Sequence, residues 1–424
     1  MSMAAPMNVL VIGYTWPEPA STAAGGHMLQ LLRAFQEQGW PVTFASPAQP
    51  GQHRFDLASL GIEQVPISLN CESFDHFITA LQPDLVLFDR FLIEEQFGWR
   101  VQQHCPHALR VLETSDLHSL REARQQRLKA LLKASAEAPG LFSRSPAELY
   151  EDMAGLELTL REVAAILRCD LSLIISSFEL ELLRQAFNVP APLLLHCPFM
   201  VDPLPEPPRG FEQRRDFISI GNFRHAPNWD AVLWLKQALW PAIRHRVPGA
   251  RLQVYGAYTP EKAAVLHNPA QGFHINGWAE NAFHAIGRAR VLLAPLRFGA
   301  GIKGKLLEAM QCGTPSVTTP VGAEGMGGPW PGAVASTAEG LADAAQALYD
   351  GALPWHAAQR QGFALLAQHY AYRPHADALI SRLQALREGL EHERLRNFTG
   401  RLLRHHSHQS TRYMAQWIEA KNRK

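Results

Sequence analysis

Five residues between 299 and 308 carry the clearest chemical signal in the chain: Gly299, Gly301, Lys303, Lys305 and Glu308, in the run Ala-Pro-Leu-Arg-Phe-Gly-Ala-Gly-Ile-Lys-Gly-Lys-Leu-Leu-Glu that begins at Ala294. An apolar stretch enters a glycine loop and leaves as a helix. Glycine lets a backbone approach a ligand closely, and the N–H groups opening the helix near Ile302 present the positive end of its dipole. Such a loop suits a phosphate, and Lys303 and Lys305 add two cations. Glu308, one turn into the helix, suits the adjacent hydroxyls of a sugar, which a carboxylate accepts in pairs. Phosphate and sugar together describe a nucleotide sugar. The competing reading is a solvated Lys/Lys/Glu face after an ordinary strand-to-helix turn, since glycine loops before helices are common in α/β folds.

The elements around this loop must hold it at the edge of a sheet. Residues 9–12, 42–45, 85–88, 109–112 and 171–175 read as short apolar strands between amphipathic segments, and such alternation predicts a parallel, doubly wound sheet. Met28, Leu31, Leu32 and Phe35 recur at helical spacing after the first strand, with Gly39 as the stop. Seven prolines fall between 190 and 208, a density that helices and central strands do not accept, so the interdomain linker is expected there. The alternation then restarts with strands at 217–220, 252–255, 291–294 and 316–318 and a helix over 228–246. Two α/β domains facing each other place a ligand between the carboxyl ends of their strands.

Size and charge narrow the classes. A chain of 424 residues predicts two domains of about 200 residues each. Its 47% hydrophobic and 19% charged residues exclude disordered and fibrous classes. Lys and Arg total 40 against 39 Asp and Glu, which argues against nucleic acid as a partner. Cys71, Cys105, Cys169, Cys197 and Cys312 form neither a disulfide framework nor a zinc-ligand pattern, which fits a reducing compartment. No basic leader with a cleavable apolar stretch is seen, and no apolar run approaches the ~18 residues of a membrane span. A cytoplasmic protein is expected, with peripheral membrane contact left open.

Four blocks resemble retaining glycosyltransferases of the family 4 type. They are Gly13 to Gly26 with the Gly25-Gly26 pair; Ser219-Ile-Gly-Asn-Phe-Arg-His-Ala-Pro-Asn-Trp-Asp; Gly256 with Gly277-Trp278; and 294–325, ending Thr319-Pro-Val-Gly-Ala-Glu-Gly. The resemblance implies the GT-B architecture, two doubly wound Rossmann-like domains facing a central cleft. It implies transfer of a sugar from a nucleotide diphosphate sugar to an acceptor hydroxyl with retention of configuration, in glycan or cell-envelope polysaccharide synthesis. No cofactor or metal is implied beyond that donor; the acceptor is a glycan, a lipid-linked molecule or a protein. Gly25 and Gly26 would approach the donor diphosphate, and Gly221, Asn222, His225, Asn228, Gly277, Trp278, Phe298, Gly299, Ala300, Gly301, Ile302, Lys303 and Glu308 would complete the donor site. The chain lacks a GxGxxG fingerprint after its first strand, which disfavours a nicotinamide oxidoreductase.

Two departures stand out. Asn222 and Pro227 occupy positions where the family usually carries an Arg and a Lys, leaving Arg224, Lys303 and Lys305 to neutralise the departing diphosphate. Of the family's two glutamates eight residues apart, Glu308 matches the ribose-binding one, whereas the sugar-binding one falls on Ala300. These losses keep two other readings open: a non-catalytic scaffold of this fold that binds a nucleotide sugar or a partner, and a nucleotide-sugar epimerase. In the first domain Leu112-Glu-Thr-Ser-Asp-Leu-His follows a strand, which puts Asp116 and His118 at the cleft edge as catalytic candidates beside Arg224 and Lys305. Alternatively Ser115 or Asp116 caps a helix that has His118 in its first turn. Asp89 and Arg90 are weaker, acceptor-side candidates.

Residues 394–424 hold eight Lys or Arg and one acidic residue, Glu419, with Leu395, Phe398 and Leu402, then Tyr413 and Trp417, at helical spacing. Packing against the first domain, and contact with an anionic membrane or a partner, are both consistent with that pattern. The domain boundaries expected are 1–200 for the acceptor side, 201–375 for the nucleotide-sugar side and 376–424 for a crossover helix and basic tail.

Overall fold

The computed structural model describes residues 6–135, 138, 140–204 and 207–422. The first sheet contains β1 (Val9–Ile12), β2 (Val42–Ser46), β3 (Glu63–Pro66), β4 (Leu85–Asp89), β5 (Leu109–Glu113), β6 (Leu171–Ile174) and β7 (Leu194–His196). Its order is β3-β2-β1-β4-β5-β6-β7, and every pair is parallel. The second contains β8 (Arg215–Ile220), β9 (Leu252–Tyr255), β10 (Phe273–Gly277), β11 (Ala289–Ala294), β12 (Ser316–Thr318) and β13 (Gly332–Val334), in the order β10-β9-β8-β11-β12-β13. It is parallel throughout as well. These are the two doubly wound domains that the alternation predicts. In each, the strand order reverses beside the first strand, between β1 and β4 and between β8 and β11, and a crevice opens at that point beyond the carboxyl ends.

The central strands form because their residues are apolar on both faces. Val9, Leu10, Val11 and Ile12 are fully buried and pair with Val42 to Ala45 on one side and Leu85 to Phe88 on the other. The edge strands lacked that signal. β3 reads Glu-Gln-Val-Pro with exposed ends, and β13 is only three residues long. β7 lies inside the proline-rich stretch expected to be pure linker; a three-residue edge strand escapes Pro192 and Pro198 on either side. The helix expected over 228–246 starts earlier, at Ala226, with Pro227 in its first turn, and passes through a π turn at Leu235–Leu239 before ending at Arg246.

Met28, Leu31, Leu32 and Phe35 of the helix Ala23–Gln36 are buried on the first sheet. The same core receives Tyr372, Ala376, Leu379, Ile380, Leu383, Leu386 and Leu390 from the helix Tyr372–Arg396, so the chain returns from the second domain to pack on the first. Backbone bonds Val201 N–H to Tyr370 O (2.7 Å) and Tyr372 N–H to Val201 O (3.2 Å) hold the outgoing and returning strands of chain together. The tail continues as the helix Phe398–Leu403, a π turn at Arg404–His408 and the helix Gln409–Asn422. Among the described residues no helix is long and apolar enough to cross a membrane.

Candidate active site

On the second domain, β8 runs into Gly221, and the helices Ala226–Trp234 and Gly304–Gln311 both begin beside it. Asn228 bridges them: its Nδ2 donates to Asn222 O (3.0 Å) and its Oδ1 accepts from Lys305 Nζ (2.7 Å). A Cβ on Gly221 would stand 2.7 Å from both Asn228 Nδ2 and Lys305 Nζ, so a side chain here would push these two groups from their present positions. Burial lowers the Lys305 amine to about 8, against the opposing pull of Glu308 one turn on. Burial likewise pushes the Glu308 carboxyl up, with Lys305 working against it. Two helix N-termini, an ammonium and a partly buried carboxylate thus converge at one strand end, an arrangement suited to an anion and its hydroxyl-bearing neighbour.

The 298–302 loop is docked on the first domain. Gly299 (φ +156°) and Gly301 (φ +63°) adopt backbone shapes that side chains resist, and a Cβ on Gly301 would lie 2.8 Å from Asp116 Cβ. Phe298 is 2% exposed against Leu128 and Ala138, Ala300 joins the core of the first domain and Ile302 that of the second. Only backbone is left at these positions to meet a donor. Part of it is engaged: Gly301 N–H donates to Glu179 Oε1 (2.6 Å), Gly299 O accepts from Arg124 Nη1 (2.9 Å), and Lys303 Nζ donates to Gly301 O (2.6 Å). Lys303 is buried and its amine is lowered to about 8 by that burial, with Glu324 opposing and Arg124 adding to the effect.

Facing this wall, β5 runs into Thr114, Ser115 (φ +60°) and Asp116. Asp116 pairs with Arg121 and stands 3.3 Å from His118 Nε2. Despite burial, Arg121 and His118 hold the Asp116 carboxyl far below the carboxylate range. His118 is lowered to about 4 by burial, with Arg121 and Arg90 adding to it against Asp116, so the imidazole is neutral at pH 7. His225 reaches the same charges from the second domain: the cleft walls desolvate it and Arg121, Lys305 and Arg90 repel its cation against the attraction of Asp116, bringing it to about 4. The structure therefore brings Asp116, His118, Arg121, His225 and Lys305 to one place. Asp89 is near its edge, where its Oδ2 accepts the Tyr14 N–H (3.0 Å), burial raises its carboxyl, and Arg90 opposes this.

Neither Ser115 nor Asp116 caps the following helix. His118–Ala134 begins after Leu117 without a side-chain cap of its own, and its leading N–H groups are taken by carboxyl oxygens from other helices. Leu117 N–H donates to Glu179 (3.2 Å), while those of His118 and Ser119 donate to Glu162 (2.9 and 3.0 Å). A turn with positive φ at Ser115 aims Asp116 toward Arg121 and His118 instead.

Other expected residues have different surroundings. Gly25 is required by its own loop, since a Cβ would stand 2.6 Å from the Glu18 backbone; Gly26 faces open space. Arg224 lies over the Tyr258 ring (3.6 Å), and Tyr258 donates to Glu18 (2.8 Å) across the cleft. Trp278 stacks on His53 (4.4 Å between ring centres) and its Nε1 donates to Ala20 O (3.4 Å), while Gly277 (φ +75°) accepts the Gly256 N–H (2.7 Å). Sequence reasoning missed Glu179, Glu162, Arg121 and Arg124, because none lies in a motif; Glu324 closes the 294–325 block, but its pairing with Arg124 (2.7 Å) is visible only in the fold. Among the described residues no group of three His, Cys, Asp or Glu is placed to hold a metal ion.

Comparison with known proteins agrees with this fold. Residues 214–351 match the family model Glycosyl transferases group 1. HepE of Anabaena, solved with UDP and glucose, superposes with a TM-score of 0.63 at 13% identity, covering 90% of this chain and 100% of its own. Sucrose-phosphate synthase from Thermosynechococcus elongatus gives 0.61 at 16% identity over 89% and 99%. A glycosyltransferase from Rickettsia africae gives 0.63 at 10% identity over 90% and 99%. No protein of curated function matches the sequence. The chain has the GT-B fold, and its residues 214–351, which carry the Gly221–Asn228–Lys305 cluster, match the glycosyl transferases group 1 family.

Proposed function

We propose that the cleft binds a uridine diphosphate sugar and transfers the sugar to an acceptor hydroxyl with retention of configuration and without a metal. The observation that carries this reading is the Gly221–Asn228–Lys305 cluster at the convergence of two helix N-termini, with Glu308 one turn away. Uridine is favoured as the base because HepE, of the same fold, is described in complex with UDP-glucose. Lys305 and the helix N-termini would stabilise the charge that develops as the sugar–phosphate bond breaks. Glu308 would accept from the ribose hydroxyls. Neutral His118, oriented by Asp116, would hydrogen-bond a sugar hydroxyl. The acceptor oxygen would bond to the anomeric carbon on the face that the diphosphate leaves, and its proton would pass to a departing phosphate oxygen. The acceptor, a glycan, a lipid-linked molecule or a protein, would enter past Asp89 and Arg90, in a reducing, cytoplasmic setting and in the service of polysaccharide synthesis.

Calorimetric titration of UDP tests the binding half of the proposal. Glu308→Ala should weaken UDP by roughly 1.5–3 kcal/mol, as for loss of a hydrogen bond to a charged group; unchanged affinity would remove the ribose role. Mixing UDP-sugar with acceptor pools tests the transfer half. A glycoside product formed together with UDP is expected, whereas an epimerised sugar or no turnover would contradict transfer.

A further inference from the structure

The tail carries a second surface, remote in kind from the cleft. From Phe398 to Asn422 the chain is continuously helical, with the π turn at Arg404–His408 in the middle. Its inner face is fastened to the first domain. Gly400 is pressed on Leu167 O, to which Asn397 Nδ2 donates (2.8 Å); Arg404 Nη1 donates to Arg168 O (2.7 Å); and His408 Nδ1 lies 2.8 Å from Gln102 Oε1. Ala415 is buried further along. The one acidic residue of the stretch, Glu419, also turns inward and accepts the Glu72 N–H (2.9 Å). The inner face thus uses the acid and leaves the outer face cationic.

The outer face is apolar at its centre. Phe398 is 68% exposed, Tyr413 67%, Trp417 64% and Met414 63%, with Leu402 at 47% and Leu395 of the preceding helix at 61%. Phe398 and Leu402, then Tyr413 and Trp417, are spaced by four, so they follow one side of the helical run. Arg396, Arg401, Arg412 and Lys421 are exposed beside them, and Lys421 Nζ lies 5.3 Å from the centre of the Trp417 ring. A row of large apolar side chains with Trp and Tyr, edged by Arg and Lys and with its acid turned away, matches the boundary between anionic headgroups and acyl chains. A second copy fits worse, because a two-fold contact through this face brings Arg401 and Arg412 of one copy against the same cations of the other.

We propose that this face lies on an anionic lipid surface, with Phe398, Leu402, Tyr413, Met414 and Trp417 in the headgroup–acyl boundary and Arg396, Arg401, Arg412 and Lys421 on phosphate groups. Sedimentation of the full chain with phosphatidylcholine vesicles, with and without phosphatidylglycerol, tests it. Binding to the anionic vesicles should be about tenfold or more tighter and should weaken with added salt. Two variants should each lose about tenfold or more of that binding: Phe398→Ser with Leu402→Ser, Tyr413→Ser and Trp417→Ser, and Arg401→Glu with Arg412→Glu and Lys421→Glu. All seven residues are exposed, so melting temperature should hold; if the apolar variant melts lower, the charge variant alone decides. The proposal is overturned if the full chain ignores anionic vesicles, if binding survives the charge variant, or if the wild type is a dimer that the apolar variant splits into monomers.

Discussion

Lys305 joins the two halves of the second-domain cluster, and its protonation sets what the cleft can hold. Lys303 and Lys305 are both lowered to about 8 from 10.5. Below pH 8 the cleft offers both cations; above it they are lost. UDP affinity should therefore fall as pH rises from 7 to 9. Near pH 8 a bound diphosphate should draw protons onto the lysines, visible as proton uptake when titrations are repeated in buffers of different ionisation enthalpy. Between pH 8 and 10.5 the unfolded chain holds these protons more than the folded one does, so the two amines make stability rise with pH there. Lys305→Ala should cost about 10²–10³ in kcat/KM, the size of losing one preorganised group that meets developing charge. The 299–308 residues were legible in the sequence because they are contiguous. Glu179 was not: in Phe178-Glu-Leu-Glu it looks the same as Glu181, and only the fold buries the first while leaving the second half exposed.

At the scale of elements, Glu179 fastens two loops from different domains, accepting N–H groups from Leu117 and Gly301 on one oxygen. Burial raises its carboxyl, with Asp116 adding to the effect, which favours the protonated, neutral form. Glutamine matches that neutral state and keeps an accepting oxygen. Glu179→Gln should therefore melt close to wild type, while Glu179→Ala should lose roughly 1–3 kcal/mol by stranding two buried donors; equal losses in both would contradict the bridging role. The same scale shows where sequence patterns end. β1, β4 and β5 announced themselves as apolar runs buried on both faces, but β3, β7, β10 and β13 are sheet edges, short or polar, whose pairing comes from their neighbours. The N-terminus of His118–Ala134 was equally hidden, since glutamates 44 and 62 residues away cap it.

Across the whole molecule, the returning helix Tyr372–Arg396 makes the first domain dependent on residues that follow the second. Leu383 is fully buried against the first sheet's core, so Leu383→Ala should cost about 2–5 kcal/mol, measured by denaturant unfolding. Arg394 fixes the end of that helix, donating to Asp170 (2.8 and 2.7 Å), whose carboxyl is held at about 2 against burial by Arg110 and Arg394. That stability is present above the ordinary Asp range and is lost as pH falls toward 2. The domains also meet through Arg124–Glu324, Tyr258–Glu18 and Trp278–His53, so donor entry and domain contact share one surface. The most direct test of the account is calorimetric titration of UDP into the full chain and into Lys305→Ala at pH 7. Saturable one-to-one binding by the wild type, weakened about tenfold or more by the substitution, is the result predicted. No heat from the wild type, or equal affinity in both, would contradict a diphosphate at the Gly221–Asn228–Lys305 cluster.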